Sequence, residues 1–166
     1  MNLLIVRHAI AMDRDDFAAT GQSDDLRPLI PAGRRRMRGV AKGIASIVVP
    51  DLIATSPLKR AMQTAQILSR AYDIEIGAIV DALRPDRSPD EFVAWAQTQP
   101  ADGTVAIVGH EPHLSQLIAW LTMGRSSAFV ELKKGGACLL DFEGAPAKSG
   151  ATILWLMRPS QLAALA

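Results

Sequence analysis

At 166 residues the chain is close to the size of one domain and short for two, and such a domain buries roughly 68–70% of its unfolded surface. Hydrophobic residues make up 49% and charged residues 21%, a globular composition that excludes a disordered or fibrous chain. Eighteen Lys+Arg against 17 Asp+Glu leave a net charge of +1, so no global field selects nucleic acid or an anionic membrane as partner. Cys138 is the single cysteine, which excludes an internal disulfide and a multi-cysteine metal cluster. The apolar run Leu3 to Val6 stops at Arg7, far short of a signal sequence, and no stretch approaches the ~20 apolar residues of a membrane span. The expectation is one soluble, cytoplasmic domain over residues 1–166.

Leu3-Leu4-Ile5-Val6 reads as a strand buried on both faces. The polar stretch from Asp13 to Asp25, with five Asp and Gly21, reads as a long exposed loop of the kind that often carries function. Met37, Val40, Ala41 and Ile44 recur at helical spacing, predicting a helix over Pro31 to Ser46. Leu52 to Ala54 is the second strand. Ser56-Pro57 then predicts an N-cap with proline at the first helical position, and Leu58, Met62, Ala65 and Leu68 share one face. Ile74 to Val80 is strand-like, and Ser88-Pro89-Asp90-Glu91 opens a helix with a capping box. Thr104 to Val108 is the fourth strand, followed by a helix over Pro112 to Met123 that Gly124 stops. Val130 to Leu132, the turn Lys133-Lys134-Gly135-Gly136 and Ala137 to Phe142 predict a hairpin, with another strand over Thr152 to Met157. Repeated strand–helix units predict a three-layer α/β/α sandwich, its central sheet mostly parallel with antiparallel strands added near the C-terminus.

Sites in open α/β sheets form beyond the carboxyl ends of the strands. Three predicted strands end in reactive residues: Arg7-His8; Thr55-Ser56 with Arg60 one turn into the next helix; and Gly109-His110-Glu111. Such a cluster suits phosphoryl transfer. Two guanidiniums can hold phosphoryl oxygens through bidentate, charge-assisted bonds. A neutral imidazole can attack phosphorus, and nearby positive charge disfavours its protonated form. The second histidine can stabilise developing charge, and no metal is required.

The segment Leu4-Ile5-Val6-Arg7-His8-Ala9 resembles the Arg-His-Gly signature of the histidine phosphatase (phosphoglycerate mutase-like) superfamily, with Ala in place of Gly. Ser56 to Ala65 is similar to its second motif and Val108-Gly109-His110-Glu111-Pro112 to its third. Arg27-Pro28-Leu29 with Gly33, the Gly-His-Glu-Pro form and the short length resemble SixA-type phosphohistidine phosphatases. The resemblance implies that His8 is the nucleophile and that Arg7, His8, Arg60 and His110 bind phosphate. It also implies a phosphohistidine-bearing protein as substrate and no cofactor.

Larger members place an acid after the third strand, where this chain has Leu83-Arg84-Pro85-Asp86 and lacks the long insertion of the mutases. That departure weighs against mutase activity and fast alkyl phosphate hydrolysis. Glu111 is the first candidate for the acid and Asp86 the second. Two other readings stay open: a small-molecule phosphomonoesterase, and a non-catalytic module that binds phosphate or phosphohistidine. A zinc site on the three histidines is disfavoured by the two arginines and by the poor fit of His110-Glu111-Pro112-His113 to a helical zinc motif. The basic run Arg34-Arg35-Arg36 with Arg38 reads as a solvated helix face, or else as a dock for an acidic phosphoprotein surface. Arg27 reads as a loop salt bridge or as an indirect phosphate contact, Lys133-Lys134-Gly135-Gly136 as a turn, the three tryptophans as core, and Cys138 as buried and inert.

Overall fold

A computed structural model describes residues 1–166. The strands are β1 (Asn2–Arg7), β2 (Leu52–Thr55), β3 (Ile76–Ile79), β4 (Thr104–Gly109), β5 (Ala137–Phe142) and β6 (Ala151–Met157). The helices are α1 (Arg14–Ala18), α2 (Pro31–Ala45), α3 (Lys59–Tyr72), α4 (Pro89–Ala96), α5 (His113–Met123) and α6 (Pro159–Ala163). One sheet carries the order β3-β2-β4-β1-β5-β6. β1 to β4 pair in parallel, whereas β5 runs antiparallel to β1 and β6 antiparallel to β5.

Alternation along β1 builds the three layers. Leu4 and Val6 join one core with Met37, Val40, Ala41 and Ile44 of α2, with Ala61, Ala65 and Leu68 of α3, and with Leu162 of α6. Leu3 and Ile5 join the other core with Phe92 of α4 and Leu114, Leu117 and Leu121 of α5. A strand buried on both faces reads as a continuous apolar run, which is why Leu3 to Val6 shows no polar alternation. The mostly parallel sandwich with antiparallel strands toward the C-terminus is as expected. No helix is long and apolar enough to cross a membrane.

Close packing beside α2 requires two glycines. A Cβ on Gly33 would lie 2.2 Å from the Ile10 carbonyl oxygen, and one on Gly43 would lie 1.7 Å from that of Leu162. The capping box opening α4 is present, with Ser88 and Glu91 reciprocally bonded, and Gly124 ends α5 at φ +69°.

Several local expectations are corrected. Residues 130–132 form no strand, and β5 pairs with β6 instead. The Leu132 N–H donates to Glu111 Oε1 at 3.0 Å and its carbonyl accepts from Arg7 Nη1 at 2.5 Å, so side chains satisfy this backbone in place of a ladder. The stretch 13–25 is not all loop. Asp13 caps α1 by accepting from the Asp15 and Asp16 N–H groups, Phe17 is buried, and a 3-10 turn spans Asp24–Leu26. Ser56-Pro57 does not start α3, which begins at Lys59 after Leu58 and has no side-chain cap. The tryptophans are half-buried: Trp155 and Trp95 pack against the edges of the first and second cores, and Trp120 has Lys148 Nζ 4.1 Å over its ring. Helix α6, unread in the sequence, carries Leu162 into the first core.

Candidate active site

Register delivers the site. Arg7 of β1 is opposite Gly109 of β4, and Thr55 of β2 is opposite Val108. His8, Ser56 and His110 therefore leave three adjacent parallel strands at the same edge. The His8 and His110 ring centroids are 5.1 Å apart with planes at 52°.

His8 is buried, and its Nδ1 lies 2.7 Å from the Ala9 carbonyl oxygen. A carbonyl only accepts, so Nδ1 carries the proton and the neutral ring presents its lone pair at Nε2. Burial first, then the Arg60, Arg7 and Arg27 charges, push the His8 pKa down to about 3 against the raising effect of the Ala9 carbonyl. Thr64 secures this segment from α3: its hydroxyl accepts from the Ala9 N–H at 3.0 Å and donates to the Arg60 carbonyl at 2.8 Å.

His110 is likewise buried, with Nε2 2.8 Å from Ser56 Oγ. Its pKa is pushed down to about 2, by burial first and then by His8 and Arg60. The Ser56 hydroxyl, which accepts only a long 3.4 Å bond from the Leu58 N–H before α3, makes its shorter contact with this histidine. When it donates to Nε2, the His110 proton sits on Nδ1, which is buried and has no partner.

Arg60 is 2% exposed. Its Nη1 donates to the Asp24 carbonyl at 2.9 Å and pairs with Asp24 Oδ2 at 3.1 Å. Arg27, also buried, donates from Nε to Asp24 Oδ1 at 2.6 Å and from Nη1 to the Met12 carbonyl at 2.8 Å. One carboxylate thus bridges two guanidiniums; partial burial raises the Asp24 pKa, yet Arg27 and Arg60 hold it below its ordinary value. Arg84 anchors the same turn through Asp25 Oδ2 at 2.9 Å. Nothing in the sequence singles out Asp24 among five aspartates.

The expected residues fall into two groups. Arg7, His8, Arg60 and His110 come together. Glu111 lies beside them, with Oε1 accepting from Ser115 Oγ at 2.7 Å and the Leu132 N–H at 3.0 Å. Asp86 is exposed in the turn before α4 and forms no ion pair. His113 is fully buried with neither ring nitrogen hydrogen-bonded to a neighbour, and burial lowers its pKa. No three or more His, Cys, Asp or Glu residues form a group able to hold a metal ion. Cys138 is fully buried and desolvation pushes its thiol up to about 12.

Of seven buried side-chain polar atoms without a partner, three belong to this cluster: Arg7 Nε, Arg60 Nε and His110 Nδ1. Buried polar groups are nearly always paired. Two of these three unpaired nitrogens are on cations and the third is on the ring beside His8, so each has hydrogen-bonding capacity that no protein group fills.

Comparison with known proteins bears on the family and the fold. The family model of the histidine phosphatase superfamily (branch 1) matches residues 3–84, which include Arg7, His8 and Arg60. An uncharacterized protein of Picosynechococcus sp. is 36% identical over 142 residues, covering 82% of each chain. The structure of the protein histidine phosphatase SixA complexed with tungstate superposes with a TM-score of 0.81 at 22% identity, over 98% of this chain and 99% of that one. A candidate phosphohistidine phosphatase SixA from Agrobacterium tumefaciens gives 0.70 at 25% identity, over 95% and 97%. The phosphoserine phosphatase of Entamoeba histolytica, with phosphoserine bound, gives 0.67 at 18% identity, over 97% and 98%. The chain belongs to the histidine phosphatase superfamily. It is a phosphatase of that class, with the fold it shares with SixA.

Proposed function

We propose that this chain, acting as one domain over residues 1–166, removes phosphate from phosphohistidine on proteins through a covalent phosphohistidine at His8. The observation that carries the reading is the His8 tautomer: Nδ1–H is committed to the Ala9 carbonyl, leaving the Nε2 lone pair free to attack phosphorus. Arg7, Arg60 and His110 would hold the phosphoryl oxygens through the nitrogens that lack partners. A new N–P bond forms at His8 Nε2 as the N–P bond of the substrate breaks. The departing imidazole takes up a proton at the nitrogen it loses phosphorus from, and water then hydrolyses the phosphoryl-His8 bond to release inorganic phosphate.

A departing imidazole needs far less acid assistance than an alkoxide, in keeping with proline at residue 85, where larger relatives carry an acid. Glu111 keeps Oε2 free of hydrogen bonds and is the first candidate proton donor, with Asp86 the second. Hydrolysis of small phosphate esters is the alternative, favoured by the likeness to a phosphoserine phosphatase.

A rapid-quench experiment with a phosphohistidine protein and an aryl phosphate, followed by acid-sparing mass spectrometry, tests the reading. A phosphoryl group on the peptide holding His8, absent in His8→Asn, is expected, with the phosphohistidine protein turned over faster. Full turnover by His8→Asn would overturn the mechanism; preference for the aryl phosphate would overturn the substrate assignment.

A further inference from the structure

Beside the cluster runs an open groove of about 480 Å³, whose polar lining includes Arg7, Arg36, Glu131, Lys133, Lys134 and Arg158. Arg36 comes from α2, Lys133 and Lys134 from the turn before β5, and Arg158 from the residue preceding α6. Glu131 is the one acid of the lining, and its charge is engaged: it accepts from Lys133 Nζ at 3.0 Å and lies 4.0 Å from Arg7. Arg36, Lys134 and Arg158 are exposed and pair with no carboxylate. In a chain whose net charge is only +1, three uncompensated cations from three elements facing one groove form a local field that attracts anions.

The groove is joined to the reacting group through the backbone. The Gly135 N–H donates to the Arg7 and His8 carbonyls at 3.1 and 3.2 Å, and its φ of +80° is one that glycine adopts without strain. The turn bearing Lys134 is therefore fixed to the segment bearing His8, and Arg7 lines both spaces. A single phosphate is already matched by Arg7, Arg60 and His110 and would leave the three outer cations unused. One extra carboxylate on a small substrate would meet only one of them. Several carboxylates spaced along a polypeptide meet all three.

We infer that this groove docks an acidic segment flanking the phosphohistidine of the protein substrate, an inference that rests on the phosphohistidine reading above. Docking by exposed charges acts on encounter and on KM, is screened over a Debye length of about 8 Å at physiological salt, and leaves the chemical step alone.

The test uses the triple variant Arg36→Gln/Lys134→Gln/Arg158→Gln, checked for native circular dichroism, and three substrates. These are a phosphohistidine peptide flanked by three Glu, the same peptide with three Gln, and an aryl phosphate. The wild type is expected to prefer the Glu peptide about tenfold in kcat/KM, the middle of the range for three exposed ion pairs, and to lose that preference in high salt. The triple variant is expected to lose it at all salt concentrations while hydrolysing the aryl phosphate at the wild-type rate. Equal kcat/KM of the wild type on the two peptides would overturn the docking groove and leave phosphohistidine hydrolysis standing. An equal loss on all three substrates in the variant would place the cations in the phosphate site and also overturn docking. Aryl phosphate turnover with neither peptide hydrolysed would overturn both the groove and the substrate assignment.

Discussion

Acidification should unfold this protein through its histidines before its carboxylates titrate. His8, His110 and His113 are all buried, and burial is the leading cause of the lowered pKa of each. In the unfolded chain each binds a proton near its ordinary 6.5, whereas His8 in the fold does so only near 3 and His110 near 2. Below pH 6.5 the unfolded state thus binds more protons, and stability falls as pH falls toward the folded values. At pH 4.5, two units below the unfolded pKa, these two histidines together have removed on the order of 5 kcal/mol. His113 adds to the loss. Against a total of roughly 5–15 kcal/mol for a domain, that is enough to bring unfolding near pH 4.5. Asp24, Asp13, Asp81 and Glu131, whose folded pKa values lie below ordinary, act in the same direction but only below about pH 4.5. The window from pH 6.5 to 4.5 therefore belongs to the histidines. Urea unfolding followed by tryptophan fluorescence, in phosphate-free buffer at pH 7, 6, 5 and 4.5, should show the urea midpoint falling steeply below pH 6. His8→Asn should remove about half of the slope due to His8 and His110. A midpoint constant from pH 7 to 5 in the wild type would refute neutral, buried histidines and the nucleophile argument that depends on them.

Two further outcomes follow from the packing. Asp24→Asn keeps the shape but leaves one acceptor oxygen for two guanidiniums; kcat/KM on an aryl phosphate should fall about tenfold, with a stability loss of only about 1 kcal/mol because Asp24 is partly exposed. Unchanged kcat/KM would show that Asp24 does not position Arg60. Gly43→Ala places a methyl on the Leu162 carbonyl and should cost about 2–3 kcal/mol as α6 is displaced. Gly39→Ala meets nothing closer than 3.8 Å and should stabilise the chain by about 1 kcal/mol; similar melting temperatures for the two variants would contradict this account of how α6 packs.

The parts of the site that could be read in advance are those set by strand ends. An apolar run followed at once by Arg7-His8 or His110 marks a parallel strand that stops at a functional edge, because the buried strand tolerates no polar residue before that point. Glu111 was recognisable as an acid next to His110, but not as the acceptor that holds the Leu132 backbone. The weaker expectations failed where local chemistry was ambiguous. Ser-Pro is an ordinary helix start, yet the Ser56 hydroxyl goes to His110, a residue distant in sequence. A run of aspartates looks like a solvated loop until Arg27 and Arg60 select one of them.

Hydrophobic periodicity predicted the α/β sandwich and put Arg7, His8, Arg60 and His110 at or just beyond strand ends, since burial on two sheet faces and helical spacing are properties of neighbours along the chain; their roles at a phosphate are what the resemblance to histidine phosphatases implies. Three features depended on tertiary structure. These are the tautomer of His8, the bridging of Arg27 and Arg60 by Asp24, and the meeting of Arg36, Lys134 and Arg158 along one groove. Each is a contact between segments remote in sequence or a hydrogen bond whose partner is a backbone group, and no side-chain pattern encodes which backbone carbonyl or distant charge a folded chain will bring within 3 Å.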